Sequence, residues 1–261
     1  MNAPKLKFQV PDAGGRRETR RRRDSGIRHS PFVIPGFTLV ELLTVISIIG
    51  VLVAFTIPVL RGIKINQYRN NARAEMNQLE TAIERYKAAY GFYPPDNQLS
   101  SGTPLVNQLY FELLGTTATN NGSTVSYQSL DDPTIKLTSS DVSTIFGVSG
   151  FMNCTRPGSA EDTRPAQDFL PNLRSAQISP SMTNREPDGF KILISAVGGP
   201  DTTYNPLGLN GAGGINPWRY NSSNPTNNPG AYDLWIQLSI NGRTNLICNW
   251  SKSVQLDRTL P

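Results

Sequence analysis

Few side chains in this sequence could do chemistry, and their placement limits what that chemistry is. The one histidine, His29, lies in an arginine-rich opening segment. If that segment is removed, no histidine remains. Neither a Ser-His-Asp or Cys-His nucleophile nor a His-based zinc site can then be built. Two cysteines, Cys154 and Cys248, lie 94 positions apart. Export would allow them to pair, but spacing alone does not establish that they meet. Asp131-Asp132 and Glu161-Asp162 are acidic pairs of the kind used in acid–base catalysis. No G-x-S-x-G, metal-ligand cluster or phosphate loop accompanies them, so they read as solvated loop charges. Trp218 and Trp235 could floor a carbohydrate or aromatic site; the plainer reading is that they fill a small core. The side chain that stands out is Glu41, a carboxylate among the 24 residues from Phe37 to Leu60, which hold no other charge.

The element that must position Glu41 is long enough to cross a bilayer, which takes about 20 apolar residues in a helix. A carboxylate costs about 2.5–3.5 kcal/mol at the centre of such a helix and less near its end, so it calls for a partner. Of the chain's 25 Lys/Arg and 20 Asp/Glu, nine and three lie in residues 1–36, which leaves 16 and 17 for the rest. The basic excess therefore belongs to the opening segment, where it acts as a topology signal: N-terminus inside, residues beyond about 61 outside. A nucleic-acid partner would need a basic patch on a folded face, and none is expected.

The string Gly36-Phe37-Thr38-Leu39-Val40-Glu41, followed by an apolar helix with a proline at Pro58, resembles the processing signature of type IV prepilins. The resemblance covers residues 31–65 tightly and the rest in outline. It implies that a prepilin peptidase cuts between Gly36 and Phe37, that Phe37 is then N-methylated, and that Glu41 pairs with the Phe37 amine of a neighbouring subunit as helices stack into a filament. A buried charge is tolerable when it is paired. The implied leader of 36 residues is long for that family, and no second methionine occurs before Met76.

Beyond Pro58, the residues Tyr68, Ala72, Met76, Leu79, Ile83, Tyr86 and Tyr90 recur at steps of three and four, one stripe of an amphipathic helix. Arg69, Arg73, Glu75, Gln78, Glu80, Arg85 and Lys87 fall opposite. A helix over 37–90 would be about 80 Å long at ~1.5 Å per residue, kinked or locally melted at Pro58 and stopped by Gly91. Pro94-Pro95 prevent it from resuming. Thr103-Pro104 reads as a helix cap for residues 105–115. Residues 116–190 read as loops with short strands of undetermined order. Strands are expected over 190–198, 232–240 and 244–250, the last two joined at Asn241-Gly242-Arg243. The fold class is α+β: a long helix, transmembrane over 37–60 and amphipathic over 61–90, packed on a small antiparallel sheet within a head of residues 91–261.

That head is also similar to the major pseudopilin of type II secretion systems. The shared features are GFYPPD (91–96), Asn216-Pro217-Trp218-Arg219-Tyr220 and Ala231-Tyr232-Asp233-Leu234-Trp235. Asn216 stands where that family has aspartate, and Arg219 where it has glycine. The resemblance implies a calcium loop near the C-terminus. Calcium takes six to eight oxygens, yet residues 240–243 offer no carboxylate and Asp233 is the one nearby candidate, so the expectation is no cofactor, with calcium as the exception to test. The implied partners are a prepilin peptidase, identical and related pseudopilin subunits, an inner-membrane secretion platform and the lipid bilayer. The implied location is the bacterial inner membrane, single pass, with a periplasmic head. Two other readings stand beside a secretion pseudopilin: a type IV pilin for adhesion, motility or DNA uptake, and a membrane-anchored periplasmic binding protein or enzyme.

Overall fold

The computed structural model describes residues 36–99, 104–122, 124–156, 164–182, 189–197, 205, 208, 213–240 and 242–258. Residues 1–35 with His29, Thr103 and the Glu161-Asp162 pair lie outside these, as does the side chain of Pro58. The chain divides into two units, one ending at Leu52 and the other beginning at Val53.

The first unit is the opening of α1 (Leu39–Tyr90). Its residues 39–52 are exposed throughout. Helix α1 runs through Pro58 without a break, so the expected local melting does not occur.

The second unit contains the rest of α1 and the head. The apolar stripe is buried from Ala72 to Tyr86: Met76, Leu79, Ile83 and Tyr86 are each at most 3% exposed, while Tyr90 is half-buried and Tyr68 is 46% exposed. Each such burial contributes about 1.5–3 kcal/mol. Gly91 ends α1 at φ +86°, its N–H donating to the Lys87 carbonyl. After it, Tyr220 Oη donates to Pro94 O at 2.8 Å and ties the diproline turn into the core.

Helix α2 (Leu109–Leu114) is shorter than expected and starts later. Asn107 holds its approach by donating to Pro104 O and Trp218 O. There follow β1 (Thr116–Asn121), β2 (Thr124–Ser129), β3 (Lys136–Thr138), α3 (Ser139–Phe146) and β4 (Cys154–Thr155). They form a four-stranded sheet ordered β3-β2-β1-β4, with β1 and β4 parallel. Helix α3 begins with a reciprocal cap, Thr138 with Asp141.

The second sheet is a meander of β5 (Arg219–Asn221), β6 (Asp233–Ile240), β7 (Arg243–Cys248) and β8 (Ser251–Leu256). The expectation of one antiparallel sheet is thus corrected to two sheets, one of them mixed. The strand expected over 190–198 makes only isolated bridges, Met182 with Phe190, Ile178 with Leu193 and Ile194 with Pro217. Leu234, Ile236 and Leu238 of β6 join the main core with the α1 stripe, and Trp235 lies in a smaller cluster with Leu246, Cys248 and Trp250.

Candidate assembly segment

The segment begins at an exposed Gly36 and a Phe37 that is 76% exposed. Thr38 then caps α1. Its Oγ1 accepts from Glu41 N at 3.2 Å, while Glu41 Oε2 accepts from Thr38 N at 2.9 Å and from Thr38 Oγ1 at 2.7 Å. This is a reciprocal capping box. The motif Thr-x-x-Glu carries its own signal for it, which reading the string as a processing signature passes over. The carboxylate also sits at the positive end of the helix dipole. Among the described residues no basic group pairs with it.

From Leu39 to Thr56 the helix is apolar enough to cross a membrane, and none of it is buried within the protein. Two of its hydroxyls are satisfied within the helix: Thr44 donates to Glu41 O and Ser47 to Leu43 O. That is what a helix in hydrocarbon requires. The segment thus offers a capped, singly charged end followed by continuous apolar surface, fit for lipid and for other helices.

Two buried carboxylates, Glu75 on α1 and Glu112 on α2, tie the amphipathic part of α1 to the head. Glu75, on the face expected to be solvated, is 2% exposed. It accepts from Arg174 Nη2 at 3.0 Å, Ser195 Oγ at 2.6 Å and Ala196 N at 3.2 Å. Glu112 of α2 is fully buried and accepts from Met152 N and Asn153 N at 3.0 Å and from Tyr86 Oη at 2.9 Å. Burial pushes the Glu112 carboxyl above its ordinary range, against the pull of those donors. The same burial and the neighbouring carboxylate push the Tyr86 phenol up, so it remains a donor. Composition gave no hint of either carboxylate, because their donors lie far along the chain.

The remaining candidates take structural places. Asp131 accepts from Tyr110 Oη. Asp132 accepts from Lys191 Nζ and Thr134, and the Lys191 bond holds it down to about 2. Trp218 and Trp235 are buried, at 1% and 3% exposure, so neither floors a surface site. Asp233, 1% exposed, accepts from Asn227 N and Asn228 N, both at 2.9 Å, and from Asn227 Nδ2 at 3.0 Å. A carboxylate filled by N–H donors does not fit calcium, which needs converging oxygens. No group of three His, Cys, Asp or Glu side chains placed to hold a metal occurs among the described residues. Cys154 and Cys248 are buried free thiols on different sheets, and the structure does not bring them together.

An apolar helix that continues as an amphipathic one beneath an α+β head is the architecture of a pilin-like subunit. The comparisons agree. Over 63 residues, 24% of this chain, it is 41% identical to the type II secretion system core protein G of Escherichia coli strain K12, covering 43% of that protein. Over segments of the same length it is 40% identical to the core protein G of Pectobacterium carotovorum and 36% identical to that of Vibrio cholerae, covering 40% and 43% of them. The chain thus spans about two fifths of the length of these curated relatives, and its similarity to them is confined to that segment. No family model matches the chain, and no solved structure matches it.

Proposed function

We propose that the chain is a structural subunit of a type II secretion-type filament. It is held in the inner membrane by residues 37–60, cut by a prepilin peptidase between Gly36 and Phe37, methylated at Phe37, and stacked with identical and related pseudopilins. Its work is mechanical: subunits leave the membrane platform and the growing fibre pushes substrates outward, with no catalytic step. The observation that supports this is the exposed apolar helix Leu39–Thr56 with one carboxylate fixed at its capped end. Exposing that surface to water would be costly, so lipid and neighbouring helices are its natural solvents. The Glu41 charge would meet the amine that cleavage creates on the next subunit.

Glu41→Gln tests the pairing in the native host. Glutamine keeps the capping geometry but removes the charge. The variant should insert and be cleaved normally, and filament recovery should collapse. Normal filaments from it would remove the ion pair from the account.

A further inference from the structure

A cavity of about 420 Å³ opens where α1 ends, between its last turn and the loop of residues 222–231. Its wall includes Lys87, Gly91, Phe92, Tyr93, Ser222 and Ser223. We infer that this cavity captures the C-terminal carboxylate of a peptide chain. The inference does not rest on the filament reading.

The cation comes first. Lys87 Nζ donates to Tyr93 Oη at 2.9 Å and lies 4.0 Å from the Tyr93 ring centroid, so its position over the cavity is fixed. Among the described residues no carboxylate pairs with it. The Tyr93 bond raises Lys87 above its ordinary range, and Glu84, one turn back on the helix, adds to that. The ammonium is therefore charged, with two N–H groups left to offer. Tyr93 accepts that bond through its oxygen and keeps its own proton to donate.

The two serines of the opposite wall offer only lone pairs. Ser222 Oγ donates to Pro94 O at 2.9 Å, and Ser223 Oγ donates to Asp96 Oδ2 at 2.8 Å. The backbone N–H groups of both serines also go to Asp96 Oδ2 at 2.9 Å. Every serine proton is committed, so both hydroxyls can only accept. Asp96 is 4% exposed and points away from solvent, while Asp233 pins the far end of the loop at Asn227 and Asn228. The wall is thus fixed before any ligand arrives, which lowers the entropy cost of binding.

A fitting ligand needs an anionic acceptor at one end and an N–H donor beside it. A peptide terminus has both, its carboxylate for Lys87 and Tyr93 and its last amide N–H for a serine oxygen. Phe92, 41% exposed, offers a surface for the terminal side chain. The α1 C-terminus carries partial negative charge and opposes an anion here. Capture therefore depends on Lys87, which makes its removal a sharp test.

The probe is acetyl-Ala-Ala-Phe with a free carboxylate, titrated calorimetrically into the full-length chain in detergent micelles. Saturable binding is expected. The C-terminal amide of the same peptide should bind about tenfold more weakly or worse, the loss of a charge-assisted hydrogen bond. Lys87→Met should show the same loss for the acid, with an unchanged unfolding midpoint. Absence of saturable binding, equal affinity for the amide, or full affinity in Lys87→Met would overturn the inference. Equal binding of amidated acetyl-Ala-Glu-Phe would show that the cavity reads acidic side chains, and would also overturn it.

Discussion

Replacing Tyr86 by phenylalanine isolates one of the bonds that join α1 to the head. Tyr86 is fully buried, and its ring packs 4.6 Å from Tyr90 and 5.5 Å from Phe169, contacts that phenylalanine preserves. What is lost is the hydroxyl bond to Glu112 at 2.9 Å. A hydrogen bond to a charged group contributes about 1.5–3 kcal/mol net, and one to a neutral group about 1 kcal/mol. The cost therefore depends on the state of Glu112. Its carboxyl is raised above the ordinary 4.5 by burial. A raised group contributes stability that is full below the unfolded value and is lost as pH rises through the folded value. Wild-type stability should thus decline as pH climbs from 4.5 until Glu112 is ionised in the folded state. Tyr86→Phe removes a bond that favours the anion, so it should deepen the decline. Urea unfolding of the full chain in detergent reports this through the three tryptophans, all of which lie in the head. At a urea slope near ~2 kcal/mol/M, the midpoint should drop by about 1 M at alkaline pH and by roughly half that in acid. A midpoint unchanged at both pH values, or a larger loss in acid, would refute the argument.

Three further outcomes concern the helix cap, the thiols and Asp233. Thr38→Val should fray the first turn of α1 and weaken it by about 0.5–2 kcal/mol, seen as faster amide exchange at residues 39–41 in micelles, while Thr38→Ser should not. Cys154 and Cys248 should react with a thiol reagent only in denaturant, since both are buried and burial raises both thiols; one disulfide per folded chain would contradict this. Because Asp233 is filled by N–H donors, calcium or a chelator should leave the melting temperature of the head unchanged, whereas Asp233→Ala should lower it by stranding those donors.

The parts of the fold legible in the sequence are those with apolar contrast. The stripe from Ala72 to Tyr86 repeats every three or four residues against a charged background, and it is buried where expected. Strands β6 and β7 combine β-branched and aromatic residues with a glycine turn, and they pair as expected. The first sheet is not legible, because Thr116–Asn121 and Thr124–Ser129 are mostly threonine, serine, asparagine and glutamine, with only Ala118, Val125 and Tyr127 as apolar contrast. Its register comes from backbone pairing and from one buried row that includes Ala118 and Tyr127. Strand β8 was missed for the same reason. Glu75 falls on the outward face of the stripe and Glu112 carries no pattern of its own, since a carboxylate is seldom buried. Their donors, Arg174 and Asn153, lie 99 and 41 positions away, and only the fold brings them close. At the assembly segment, Glu41 stands out because a single charge in an apolar run is rare, whereas Gly36 and Phe37 are singled out only by the resemblance to the prepilin signature. The capping role of Thr38 needed the geometry.

The account rests on a cut between Gly36 and Phe37, and the most direct measurement is N-terminal sequencing with intact mass of the protein recovered from native membranes. The account predicts a chain that begins at N-methyl-Phe37. A chain that keeps its arginine-rich opening segment, in cells whose prepilin peptidase is active, would contradict it and leave residues 37–60 as an ordinary signal anchor.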